Sequence, residues 1–275
     1  MTYLEKIYNL EDPNLVSIVD ELSLWSSYFV RLLLDNVELH PNLNVLDVGF
    51  GTGVPIFELA QRLGTTCHVT GIDSWAAAVE RAKWKQEIHS IKNVTLVTSD
   101  AKEMPFEDDC FDMIVSNLSL NNLSDSKKLL QECHRVLKKG GKLYLTTNTV
   151  GHYREFYDAY ETVLKALKKK HLLPILKKQE NHRGNLESIR ENLENAKFSI
   201  TKILKDRFHW RYLNGSALLN HSLTIYGFLA GWRQILEGED EAMIFEKIEA
   251  KLNEIAEEDG ELKMSVPMLY LEAVK

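Results

Sequence analysis

Cysteine is scarce in this chain. Cys67, Cys110 and Cys133 are the only three in 275 residues, and they form no Cys-x-x-Cys pair and no metal-ligand spacing. So odd and sparse a set argues against a disulfide framework and implies no metal; it fits structural thiols in a reducing cytoplasm. Basic residues are short as well. Lys and Arg number 33 against 40 Asp and Glu, for a net charge of −7. Proteins that live on phosphate backbones usually carry a basic surplus, so no nucleic-acid partner is expected. Long apolar runs are missing. The most apolar stretch, Leu223 to Trp232, is too short to span a bilayer. Residues 1–14 lack the basic-then-apolar pattern of a signal peptide, which makes a cytoplasmic location the expectation. Internal repeats and low-complexity segments are also absent.

What remains is ordinary globular composition, 44% hydrophobic and 27% charged. The length suits one core domain with a substantial addition.

From residue 44 onward, short apolar runs alternate with helical patterns. The runs Asn44–Val48, Cys67–Ile72, Val94–Ser99, Phe111–Ser116 and Lys142–Thr147 read as strands. Helices are expected over 54–63, 76–89 and 126–137, with a turn at Lys138–Gly141 before the fifth strand. Such alternation predicts a parallel sheet covered by helices on both faces. In these sheets the ligand sits beyond the carboxyl ends of the strands. Asp47, Asp73, Asp100 and Asn117 all fall at those ends. Before the sheet, a helical pattern runs from Asn14 to about Val37. After it come helices over 153–171, 185–196, 215–236 and 240–258, and strands over 198–211 and 263–274.

The sharpest local signal is Val45–Gly53, which reads V-L-D-V-G-F-G-T-G. Here a buried strand runs into a glycine-rich turn that opens a helix. Gly49, Gly51 and Gly53 permit positive φ and close approach of backbone to a ligand. A dinucleotide fingerprint would place a small residue three positions after the second glycine, but Val54 stands there. Asp47, just ahead of the glycines, disfavours a pyrophosphate and welcomes a cation. A Tyr-x-x-x-Lys pair of the short-chain dehydrogenase type is not found either.

The segment Asp47–Gly53 resembles the first motif of the class I S-adenosylmethionine-dependent methyltransferases, with Phe50 where Cys or Ser is commoner. Val69–Asp73 is similar to the second-strand motif, and Ser99–Ala101 followed by Met104–Phe106 to the adenine-facing segment. Phe111–Asn117 resembles the fourth-strand motif, and Glu132–Gly141 the helix and turn before strand five. The resemblance covers residues 44 to about 147. It implies an α/β, Rossmann-like sheet of seven strands, the last antiparallel, with a helical cap. It implies S-adenosyl-L-methionine as cofactor and S-adenosyl-L-homocysteine as product. The cofactor-binding set it implies is Asp47, Gly49, Gly51, Gly53, Asp73, Ser74, Asp100, Ala101 and Asn117. Asp73 would take both ribose hydroxyls, and Asp100 and Ala101 would meet the adenine. Taken singly, Asp73 and Asp100 are also readable as helix caps, and the glycines as a plain tight turn.

Three parts are therefore expected. Residues 1–40 would form an N-terminal helical lid and 41–150 the cofactor-binding core. Residues 151–275 would complete the sheet and insert a helical substrate cap at about 213–260. The expected activity is in-line methyl transfer to a small, partly apolar metabolite. The alternatives are an RNA or protein methyltransferase and a non-catalytic cofactor-binding regulator. Ser116–Asn122 lacks the Asn/Asp-Pro-Pro-Tyr element of base-modifying amino-methyltransferases. His152, His221 and Asn117 are the catalytic candidates. Each also has a structural reading: His152 as a surface helix start, His221 as core, and Asn117, with Asn121 and Asn122, as a helix cap. Lys165–Lys170 reads as a solvated basic face.

Overall fold

The computed structural model describes residues 2–6, 8–21, 23–119, 126–236 and 238–275. Asn121 and Asn122 thus lie outside the described residues. The chain divides into two compact units. One, the sheet unit, comprises Asn9–Thr147, Asn185–Lys205 and Met268–Lys275. The other, the helical unit, comprises Met1–Tyr8, Asn148–Gly184 and Asp206–Pro267. Residues 185–205 and 268–275 return to the sheet unit because their apolar side chains pack into its core.

The sheet has seven strands: β1 (Asn44–Val48), β2 (His68–Asp73), β3 (Val94–Thr98), β4 (Phe111–Asn117), β5 (Leu137–Asn148), β6 (Ser199–Tyr212) and β7 (Leu262–Val274). Their order is β3-β2-β1-β4-β5-β7-β6, with β1 to β5 parallel and the last strands antiparallel. Side chains alternate faces along a strand, and the two cores follow from that. Leu46, Val48, Ile72, Ile114, Leu143, Leu145, Leu269 and Leu271 build one face. Val45, Val69, Met113, Val115, Tyr144 and Tyr270 build the other. Six helices accompany these strands in the sheet unit: α1 (Pro13–Glu21), α2 (Ser23–Leu34), α3 (Val54–Leu63), α4 (Ala76–Ile88), α5 (Ser126–Val136) and α8 (Leu186–Asn195).

The expected turn at residues 138–141 is instead an irregularity within β5. Leu137 pairs with Phe111, but Met113 already faces Lys142, so the intervening residues bulge out of register. Gly141 is required there: a Cβ would stand 2.9 Å from the Asp112 carbonyl oxygen.

The helical unit holds α6 (Arg154–Ala166), α7 (Leu173–Glu180), α9 (Gly215–Asn220), α10 (Leu229–Gln234) and α11 (Glu241–Asp259). The Phe156 and Trp232 rings stack at 3.7 Å, and Tyr160 donates to the Trp232 carbonyl at 3.2 Å. The helix expected over 153–171 ends at Ala166, followed by left-handed Lys168. The helix expected over 215–236 breaks at His221, whose Nδ1 accepts the Leu223 N–H at 3.1 Å. The chain resumes as a π-helical turn over Thr224–Phe228. Competition from a side-chain acceptor for a backbone donor is invisible to hydrophobic periodicity. Among the described residues, no helix is long and apolar enough to cross a membrane.

Candidate functional site

Every cofactor-binding residue expected from sequence lies in the sheet unit, at the carboxyl ends of β1 to β4. Asp47, on β1 between Gly71 of β2 and Val115 of β4, has no exposure to solvent. Among the described residues, neither carboxylate oxygen has a hydrogen-bond partner. Burial, and next the charge of Asp73, push its carboxyl up to about 8. A buried, unpaired anion is costly, and a cationic ligand at this end of β1 would offset that cost.

The glycine turn follows. Gly49, Gly51 and Gly53 all have positive φ. A Cβ on Gly49 would meet Ser119 Oγ at 2.1 Å, whereas no protein atom lies within 4 Å of the Cβ position on Gly51. The first glycine thus serves packing, and the second leaves backbone open to a ligand. Gly53 opens α3, with Pro55 in the first turn.

Asp73 ends β2 and holds the turn in place. Its Oδ2 accepts the Gly51 N–H at 2.8 Å and its Oδ1 the Trp75 N–H at 2.8 Å. Burial raises its carboxyl; the amides of Trp75, Gly51 and Ser74 oppose that rise. Ser74 therefore enters through its backbone. Asp73 is not the N-cap of α4: Trp75 holds that place, with no side-chain cap bond, and Asp73 lies two residues before it.

Asp100 is half exposed. Its Oδ1 accepts the Lys102 N–H at 2.9 Å, and Lys102 Nζ stands 3.4 Å from its Oδ2. That amide, then the Lys102 ammonium, hold its carboxyl below the usual range. Ala101 beside it is buried. Asn117, at the end of β4, accepts the Thr146 hydroxyl on Oδ1 at 2.7 Å. That bond orients the amide so that Nδ2, a donor, is its other end.

Sequence reasoning missed three supports. Ser119 Oγ donates to the Val48 carbonyl at 2.7 Å, closing over Gly49. Asp20 of α1 pairs with Lys85 and, at 3.1 Å, with Arg81, both on α4. Lys85 Nζ in turn donates to the Thr52 carbonyl of the glycine turn at 2.8 Å. Trp75 Nε1 donates to the Leu10 carbonyl at 2.8 Å. These bonds join residues far apart in sequence, and no local pattern announces them.

His152 and His221 belong to the helical unit. His152 is buried, not a surface residue, and burial followed by the charges of Arg183 and His182 holds its imidazole well below the usual value. His221 stands beside Trp210 and Tyr212. Its Nδ1 accepts a backbone N–H, so the neutral ring carries its proton on Nε2.

Comparison with known proteins bears on the family and the fold. The family model for a methyltransferase domain matches residues 39–197. A demethylmenaquinone methyltransferase from Staphylococcus aureus is 35% identical over 133 residues, 47% of this chain and 54% of that protein. An arsenite methyltransferase from Mus musculus is 36% identical over 114 residues, 38% of this chain and 30% of that protein. The chain thus spans about half the length, or less, of these curated relatives. The crystal structure of YcgJ from Bacillus subtilis superposes with a TM-score of 0.62 at 18% identity, covering 90% of this chain and 98% of that one.

Proposed function

Since the chain belongs to the class I S-adenosylmethionine-dependent methyltransferases, we propose that it transfers a methyl group to a small, partly apolar metabolite by in-line displacement. Its cofactor is S-adenosyl-L-methionine. When bound, that cofactor supplies an electrophilic methyl on a sulfonium and is left as S-adenosyl-L-homocysteine. One observation carries the reading: Asp47 is buried, unpaired and anionic-capable at the mouth of a glycine turn whose central amide is fixed by Asp73. A cationic nucleoside ligand without phosphate fits that donor and acceptor set. A pyrophosphate does not.

In this reading Asp73 holds the ribose hydroxyls, Asp100 and Ala101 the adenine, and Asp47 with Gly49, Gly51 and Gly53 the amino-acid end. Ser74 contributes its backbone, and Asn117 presents a donor beside the reacting groups. Positioning is the main chemical task, since alignment alone can supply roughly 7–11 kcal/mol of the barrier. A base is needed only for an acceptor that arrives protonated. If one is used, His152 is the better candidate, since His221 Nδ1 is already taken by the Leu223 N–H. The relatives are named for demethylmenaquinone and arsenite, unlike acceptors that are both small molecules. This supports a small-molecule acceptor over RNA or protein.

The test is calorimetric titration of the protein and its Asp73→Ala variant with S-adenosylmethionine and S-adenosylhomocysteine. Micromolar binding, lost in the variant, is expected. Absence of binding to either ligand in a folded protein would sink the reading.

A further inference from the structure

The helical unit contains a second polar site, built entirely from its own residues. A cavity of about 70 Å³ is lined by His152, Tyr153, Tyr157, Gln179, Arg183 and Phe228 among others. That is roughly twice the ~30 Å³ share of a water molecule, the scale of a single oxyanion group and not of a whole metabolite.

Its charge is one-sided. Arg183 contributes a permanent cation. Among the described residues, no carboxylate stands within ion-pair distance of it, and the groups that act on it are the Tyr157 and Tyr153 hydroxyls. Glu180, whose charge acts on Tyr157, is held by Lys177 at 2.6 Å. Tyr157 is hydrogen-bonded to the guanidinium, but its oxygen also accepts Trp232 Nε1 at 3.2 Å. A hydroxyl with one lone pair so occupied can take one guanidinium N–H of five. His152 and His182 add imidazoles to the lining, both held low by burial first and by Arg183. The Phe228 ring centroid lies 5.9 Å from the Arg183 guanidinium carbon.

The backbone around the cavity is irregular in a way that serves it. Tyr153, almost fully buried, has φ +54 in the left-handed region, and its N–H donates to the Ser265 carbonyl at 2.8 Å. Phe228 ends the π-helical turn. Gly231 admits Gln179, because a Cβ there would stand 2.4 Å from Gln179 Nε2. Held strain and π turns concentrate where a fold positions groups for a ligand. Arg183 keeps partial exposure, so a solute can reach it.

We propose that this cavity is an oxyanion-binding site that takes a carboxylate or phosphate group on the Arg183 guanidinium. Arg is suited to both through its planar fork. The cavity is lined by residues of the helical unit alone, His152 among them, and the proposal does not depend on the methyltransferase reading.

The experiment is calorimetric titration with inorganic phosphate, sulfate and acetate against a chloride background at constant ionic strength. It uses the whole protein and the variants Arg183→Met and Arg183→Lys. S-adenosylhomocysteine binding is measured in parallel as the check on folding and on the cofactor site. The expected result is oxyanion binding in the native protein, weakened about tenfold to a hundredfold in Arg183→Met, as for loss of a charge-assisted hydrogen bond. Arg183→Lys keeps the charge but loses the fork, and an intermediate affinity is expected. Preference for phosphate and sulfate assigns a tetrahedral ligand, and preference for acetate a carboxylate. No binding beyond chloride in the native protein, or equal binding in Arg183→Met, would overturn the site.

Discussion

The two units bury charge of opposite sign. In the sheet unit, burial and then the charge of Asp73 raise the proton affinity of Asp47, while burial raises that of Asp73 against the opposing amides of Trp75, Gly51 and Ser74. In the helical unit, Arg183 holds His152 and His182 low, and tyrosine hydroxyls are its neighbours. Among the described residues, neither Asp47 nor Arg183 has an ion pair of the kind that joins Arg135 to Glu132 at 2.8 Å. Where a protein leaves a buried charge uncompensated, a ligand of the opposite sign is the physical expectation. The same chain thus prepares for a cation in one unit and an anion in the other.

The contrast can be broken most directly at Asp73. Asp73→Ala should weaken S-adenosylhomocysteine binding about a hundredfold or more, since two charge-assisted hydrogen bonds at roughly 1.5–3 kcal/mol each are lost. Calorimetry reads this, and native-like affinity would show that the acid serves only the turn.

Next in size is the pair Gly49→Ala and Gly51→Ala. Both positions have positive φ, which costs an Ala about 1–2 kcal/mol. Gly49→Ala should unfold in less denaturant than Gly51→Ala, because its Cβ would collide with Ser119. Gly51→Ala should stay folded and lose cofactor affinity by about tenfold or more, roughly a hydrogen bond's worth with close approach blocked. Equal loss of stability in the two would remove the distinction between a packing and a ligand glycine.

The pH profiles should also oppose one another. A carboxyl pushed up to about 8 on folding, from an ordinary value of 3.8, binds a proton more tightly in the native state. Between those limits Asp47 therefore subtracts stability as pH rises, and Asp47→Asn should flatten that limb of the urea midpoint against pH. His152 acts the other way. Its folded value lies below 6.5, so stability is full above that pH and is lost as pH falls below it. His152→Phe should remove the acid-side loss only.

The smallest effect is expected at Lys85→Met. It removes one partner of Asp20 but leaves Arg81, and it releases the Thr52 carbonyl. Loss of about 1 kcal/mol in stability and a few-fold in S-adenosylhomocysteine affinity is expected.

How legible each region was in the sequence follows the same division. The first four strands and their helices were readable to within a residue or two, because each strand is a short apolar run closed by Gly, Asp or Asn. The expected cofactor residues could be proposed from sequence because that expectation rests on residue type at fixed spacing. The helical unit was not. Its helices break where His221 captures a backbone amide and where Lys168 turns left-handed, events that leave the 3.6-residue pattern intact. Arg183 drew no attention, since a lone Arg in a polar stretch looks solvated until the fold shows which acids are absent around it.

The strand order has a consequence for how the chain is made. β6 lies at the edge of the sheet, separated from β5 by β7, which follows it in the sequence by the whole of α9 to α11. A ribosome therefore delivers β6 well before its neighbour. Through that interval the growing chain carries a parallel sheet open at β5 and an extended strand with nothing to pair with. Such edges are the surfaces on which nascent chains aggregate. Much of β6 is polar at its outward positions, with Lys202, Lys205, Asp206 and Arg207 in sequence, and side chains of this kind guard an unpaired strand until β7 arrives.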